Sequence, residues 1–339
     1  MRPHRSRSEW LRRLALAAVV ALGIASIIGS GGGIGLTSDC PPGMSCDAPP
    51  PVLTVSVQPP YATALVGSAV TFTATAFDAA GAVTYQWSRS SDGGTSFLDL
   101  PGATARALTL AAVNLADDGA IYRVTARDTS PIVAHAGARL SVSATPGLVF
   151  RDTEFNPADW VATPLGLGSV PAAAHSEDTP ASGGNPGAFR RMVIEVPPQS
   201  GGGRVYYTSL VATYDPATQG AIRLIDYAED SISLQPNVST YTDSAMLLEQ
   251  AGRRYVANQR ADVNVPISTS WSSSQSRASL RAADFGMVDG PACQPGETCP
   301  DFSAQGAPMR FGYWRFSFGI QGDRIAHGID NWQVTVWRE

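Results

Sequence analysis

The chain has 339 residues, a formal net charge of −5, 33 glycines and 25 prolines. That length accommodates two domains and a leader. The glycine and proline content favours short strands joined by tight turns over long helices, and an acidic chain with no basic cluster excludes nucleic acid as an expected partner.

Arg2, Arg5, Arg7, Arg12 and Arg13 precede an apolar run from Leu14 to Ile28, the order of a secretory signal peptide over residues 1–29. Cleavage after Ala25 and after Gly29 both fit. The run is only slightly short of a full span, so a retained membrane anchor stays open. Removing this leader takes away five arginines and one glutamate and leaves the remainder at −9. Residues 30–51 are rich in Gly, Pro and Ser and read as a tether.

The tether holds Cys40 and Cys46, and Cys293 and Cys299 repeat their pattern, Cys-x-Pro-Gly-x-Ser/Thr-Cys. The central Pro-Gly favours a type II turn that brings the ends together. Two local disulfides are expected, Cys40–Cys46 and Cys293–Cys299, each stabilising by about 2–3 kcal/mol at most. Zinc is the competing reading, but the spacing is longer than that of zinc sites. Leader and disulfides together predict an extracytoplasmic protein, secreted, periplasmic or on the cell surface.

Residues 52–144 alternate as strands do at Val70–Phe77, Tyr85–Trp87 and Ala107–Leu110, with Gly81, Asp92-Gly93-Gly94 and Pro101-Gly102 supplying turns. Ala116-Asp-Asp-Gly-Ala-Ile-Tyr122-Arg-Val124 has the form of a tyrosine corner, and Trp87 lies where such a domain buries its core tryptophan. These features resemble the immunoglobulin-like repeats of bacterial surface proteins. Ala74 and Val124 stand where antibody domains carry their cystine, so apolar packing around Trp87 is expected to replace it. Such a module implies a spacer or binding role, and both aromatics are expected in its core.

A Thr145-Pro146-Gly147 hinge leads into a second domain, 148–339. Gly203–Tyr214 and Ala221–Tyr227 read as strands, and Met309–Ile320 alternates with Trp314, Phe316, Phe318 and Ile320 on one face. No segment keeps a helical period over three turns. The fold class is therefore all-β, an immunoglobulin-like sandwich followed by a jelly-roll sandwich. Phe150–Trp160, Gly183-Gly-Asn-Pro-Gly187 and Gly328–Val336 resemble the edges of jelly-roll carbohydrate-binding and lectin-like modules, of the concanavalin A-like or galactose-binding-like kind. That resemblance implies a structural calcium where first and last strands meet, with Glu154 and Asp330 as ligands and Asp152 a third. The alternative is that Asp330-Asn331 caps a turn and Glu154 is solvated.

A ligand surface would need exposed aromatics, and Tyr206, Tyr207, Trp271 and Trp314 are the candidates. Tyr206 and Tyr207 are adjacent and must point to opposite faces of a strand. No catalytic motif is recognisable: there is no Gly-x-Ser-x-Gly, no His-Glu-x-x-His and no Walker loop. Asp226, Glu229 and Asp230 invite a glycosidase reading, but their spacing is better explained as a solvated strand end. The expected function is non-catalytic binding of a glycan or other surface polymer. A structural or protein-adhesion module without a sugar site, and a polysaccharide-active enzyme, are the alternatives.

Overall fold

The computed structural model describes residues 52–339 apart from 167–171, 198–201, 235–240, 258–264, 267, 273–276, 289, 291–292, 295–297 and 321. The expected signal peptide, tether and Cys40–Cys46 loop lie outside the described residues. Among the described residues no helix is long and apolar enough to cross a membrane.

The first sandwich has eight strands: β1 (Thr54–Gln58), β2 (Tyr61–Leu65), β3 (Val70–Phe77), β4 (Thr84–Ser90), β5 (Leu98–Asp99), β6 (Ala107–Leu110), β7 (Ile121–Arg127) and β8 (Val133–Ser143). They form one sheet of order β1-β3-β6 and another of order β2-β8-β7-β4-β5. Alternation decides the faces: along β3, Val70, Phe72 and Ala74 are buried while Thr71 is exposed. Trp87 is fully buried between the sheets and donates its Nε1–H to Ala105 O at 3.0 Å. Tyr122 stacks on Phe72 with ring centroids 5.5 Å apart, and its hydroxyl donates to Asp117 Oδ1 at 3.4 Å. Asp117 is already held by the capping box of the 3-10 turn Leu115–Asp117, so the corner is tied to a fixed point. Ala74 and Val124 are both fully buried, and packing takes the place of the cystine. The domain is immunoglobulin-like, as expected.

Among the described residues the second sandwich has thirteen strands. The first seven are β9 (Leu148–Asp152), β10 (Trp160–Leu165), β11 (His175–Asp178), β12 (Arg190–Glu195), β13 (Gly202–Tyr214), β14 (Ile222–Ser233) and β15 (Tyr241–Gln250). They are followed by β16 (Arg253–Ala257), β17 (Val265–Pro266), β18 (Arg277–Leu280), β19 (Phe285–Met287), β20 (Met309–Phe318) and β21 (Arg324–Arg338). One sheet runs β10-β13-β20-β15-β16-β19 with β17 beside β15; the other runs β11-β12-β21-β14-β18 with β9 beside β21. First and last strands of this sandwich meet, Asp152 opposite Trp332.

The space between these two sheets is apolar at one end and polar at the other. Trp160, Trp332, Phe311, Leu248 and Val336 fill the apolar end. At the polar end Glu229 and Arg315, both fully buried, form an ion pair at 3.0 Å. Ser244 Oγ donates to Glu229 at 2.5 Å, Tyr227 donates its hydroxyl to the same carboxylate, and Arg315 donates to Ser244 Oγ at 2.9 Å. His327 is fully buried beside this network, and among the described residues neither ring nitrogen makes a hydrogen bond of good geometry. Burial, and then the charge of Arg315, push its pKa well below the usual histidine value.

The expected hinge is not one. Residues Pro51–Glu339 form a single compact unit, and the joint between sandwiches is built of specific bonds. Asp226 on β14 accepts from Thr63 Oγ1 (2.8 Å), Ser279 N (2.7 Å) and Trp337 Nε1 (2.8 Å). Ser279 on edge strand β18 also meets Thr63 Oγ1 on edge strand β2 at 2.9 Å. Arg223 donates to Val142 O at 2.8 Å and pairs with Asp118. A Cβ placed on Gly147 would lie 2.4 Å from Thr335 Cγ2, so the linker is pressed onto β21. Two sheet edges that would otherwise be open templates for pairing cover each other here.

Candidate aromatic binding face

The outer face of the larger second-domain sheet carries the candidate site. On β20, Met309, Phe311, Tyr313 and Arg315 point into the sandwich, which sends Trp314, Phe316 and Phe318 outward. All three are half-buried. Their rings form a stripe, with centroids 5.8 Å apart for Trp314–Phe316 and 3.9 Å for Phe316–Phe318. The strand stops at Phe318, so Ile320, expected on the same face, lies beyond it and is 73% exposed.

Register supplies the flanks. Phe316 has Arg204 of β13 as its partner on one side and Asp243 of β15 on the other. Trp314 likewise lies between Tyr206 and Ala245. The Arg204 guanidinium sits 4.7 Å from the Phe316 ring centroid, a cation–π contact. Asp243 has no hydrogen-bond or ion-pair partner among the described residues, and burial alone pushes its pKa up to about 6. The Trp314 indole N–H is buried and unpartnered as well. Beside Trp314 on this face, Tyr206, Ala245, Leu247 and Val256 form a small apolar cluster against which its ring packs. The face therefore combines flat apolar rings with an unpaired carboxylate and a guanidinium on opposite sides.

The four expected ligand residues separate. Trp314 lies in the stripe. Tyr206 shares its row but is only 2% exposed and acts as its support. Tyr207 turns the other way, as adjacency demands; it is fully buried and stacks on Tyr313 at 4.7 Å, so it is a core residue. Trp271 lies off this sheet, where its indole donates to Gly183 O at 2.8 Å and its ring meets Phe189 edge-on. It pins the Gly183–Gly187 loop. Arg204 and Asp243 were missed because neither is marked by a local motif; only strand pairing brings them to Phe316.

The expected calcium ligands also separate. Asp152 is spent on local bonds, accepting from Glu154 N, Phe155 N and Trp160 Nε1. Asp330 stands directly opposite Asp230 across β21 and β14, at a bulge where Asn331 adopts φ +49°. Two like charges opposite each other are unfavourable. Amide donors offset this: Asn185 N and Asn331 N donate to Asp330 at 2.6 and 2.7 Å, and Asn331 Nδ2 donates to Asp230 at 2.7 Å. Burial raises the Asp330 pKa, the two amides oppose the rise, and Asp230 and Glu154 add to it. Glu154 is exposed and, with Asp152, lines a cavity of about 360 Å³. The structure thus brings Glu154 within electrostatic reach of Asp330 without assembling a full ligand set. Among the described residues no group of three or more His, Cys, Asp or Glu is arranged to hold a metal.

The acids of Asp226–Asp230 are not a solvated strand end. A register shift between Ala228 and Asp230 sends them to three places: Asp226 to the joint, Glu229 to Arg315, and Asp230 to the Asn185/Asn331 amides. The Cys293–Cys299 disulfide is present, with Cα atoms 4.7 Å apart.

No protein-family model matches the chain, and no curated protein sequence matches it. Among solved structures it is similar to the N-terminal four Ig domains of Dscam1 isoform 4.44, at 22% identity and a TM-score of 0.22 over 27% of this chain and 21% of that one. Isoform 8.4 matches over the same shares at 24% and 0.22. A chain from the structural work on T cell specificity and activation by the bacterial superantigen toxic shock syndrome toxin-1 matches at 17% and 0.24, over 27% of this chain and 99% of that one. The chain thus spans about a fifth of the length of the Dscam1 structures it matches. Overlaps of this size inform no function; the architecture is that of an all-β protein of two sandwiches, the first immunoglobulin-like.

Proposed function

We propose that this is an extracytoplasmic, non-catalytic binding protein that holds a glycan on the outer face of its second sandwich. The observation that carries the reading is the Trp314–Phe316–Phe318 stripe between Arg204 and Asp243. Sugar rings present C–H faces that stack on aromatic rings, while a carboxylate and a guanidinium offer an acceptor and donors to the hydroxyls at the ring edge. The Cys293–Cys299 disulfide supports an oxidising compartment. The acids that suggest hydrolysis are each committed to other partners, which supports a binding role.

The test is a glycan-array screen of residues 39–339, with calcium and with chelator, followed by titration of the best ligand. Trp314→Ala is expected to weaken binding about 5- to 150-fold, since loss of one stacking ring costs on the order of 1–3 kcal/mol by analogy with base stacking on aromatics. No glycan bound by the wild type under either condition would end the sugar reading in favour of protein adhesion. Binding that survives Trp314→Ala and Phe316→Ala would move the site off this face.

A further inference from the structure

A second site of different chemistry lies at the far end of the same sheet. A cavity of about 770 Å³ opens between the β15–β16 turn, the 3-10 turn Ala282–Asp284 and the segment that follows Cys299, within the roughly 300–1,000 Å³ of small-molecule sites. Tyr255 and Phe302, both buried, and Ala282 and Ala283 give it an apolar lining. Gln250 stands five residues along β15 from Ala245, about 17 Å at the rise of a strand, so this cavity is separate from the aromatic stripe.

Its wall is held in place. Gln250, only 4% exposed, donates to Asp301 O and Ala307 O at 2.8 Å each and accepts from Asp301 N at 2.7 Å. The Cys293–Cys299 disulfide fixes the start of the same segment, with the Cys293 sulfur 3.4 Å from Ala282 O. Phe302 meets Phe285 edge-on at 5.9 Å behind the lining. A cavity walled by a disulfide and three hydrogen bonds is preorganised, and preorganisation lowers the entropy lost on binding.

Two guanidiniums from different elements line this apolar space: Arg253 on β16 and Arg281 just before the 3-10 turn. Among the described residues neither has an ion-pair partner, so both guanidiniums are open to an anion. Asp301 is the acid lining the cavity, and its Oδ1 is taken by Ser303 N. We propose that this cavity binds a small amphipathic anion, an aromatic or short-chain aliphatic carboxylate or sulfonate. Its apolar body would pack against Tyr255, Phe302 and the two alanines, and its acid group would face Arg253 and Arg281, whose planar forks suit such anions.

The probe is 1-anilinonaphthalene-8-sulfonate, titrated by fluorescence and calorimetry against residues 39–339 with the disulfide intact. Saturable binding with one site at this cavity is expected. Arg253→Gln and Arg281→Gln, both at exposed positions, should each weaken it by about tenfold, the usual worth of a charge-assisted bond. Ala283→Trp should abolish binding by filling the space, and Trp314→Ala should leave it unchanged. Octanoate should displace the probe, and octanol at equal concentration should not. No saturable binding, binding indifferent to the two arginine variants, or equal displacement by octanol would each overturn the proposal.

Discussion

The two sandwiches solve the same packing problem with opposite interiors. The first encloses an apolar set around Trp87, Phe72, Tyr122 and Leu140, with its one indole N–H answered by a backbone carbonyl. The second encloses an ion pair, a histidine and several hydroxyls at one end of its core. Apolar packing is tolerant: it loses stability in proportion to the atoms removed. A buried charge pair gives little net stability and much sensitivity, because desolvation of both ions offsets their attraction until one partner is lost. The second domain is therefore the one whose interior can be broken by a single polar change.

The largest expected effect tests that contrast. Glu229→Ala leaves Arg315 uncompensated in the core and should cost about 3–5 kcal/mol, read as a lower urea midpoint. The double variant Glu229→Leu/Arg315→Met should recover most of it. If single and double variants were equally unstable, the polar core would be no more fragile than the apolar one.

The joint comes next. Asp226→Ala removes an acceptor of three hydrogen bonds at a half-buried joint that water can enter, and should cost about 1.5–3 kcal/mol in all. Calorimetry of the wild type should show one cooperative transition, and the variant should show two, one for each sandwich. Two transitions in the wild type would restore the picture of an independent spacer.

Replacing Cys293 and Cys299 with serine should cost about 2 kcal/mol, the chain-entropy value for so short a loop. The same change should expose the wall beside Phe302 to proteolysis.

The smallest effect is a pH dependence. His327 titrates below its unfolded value of 6.5 in the native state, so the unfolded chain binds the extra proton. Stability should be complete above pH 6.5 and fall as the pH drops below it, by about 1 kcal/mol per unit for one group. His327→Leu should flatten this slope. Asp243 works in the opposite sense between its ordinary 3.8 and about 6, where the native state holds the proton. The measurement therefore belongs in an Asp243→Asn background.

Much of the fold was legible because its signals are local. The alternation of Val70–Phe77, the tyrosine corner, the single stripe of Trp314, Phe316 and Phe318 and the Cys293–Cys299 loop all depend on residues within a few positions of one another. The binding face was legible only in part. Trp314 could be named from its strand, and Tyr206 and Tyr207 could be assigned to opposite faces, but which of them is core follows from which face the other sheet covers.

What the sequence determined by itself was fold class, the order of the two sandwiches and the side of β20 that carries aromatic rings. Tertiary structure decided the rest. The bulge opposite Asn331 separated three neighbouring acids into a joint, a core ion pair and a turn. Strand register brought Arg204 and Asp243, 39 positions apart in the chain and each more than 70 from the ring, to either side of Phe316. The linker at Gly147 reads as a hinge in one dimension and is a connection packed against Thr335 and Trp337 in three. The physical reason is the same in each case: a backbone's local preferences act over one or two turns, whereas burial and pairing depend on what the folded chain brings alongside.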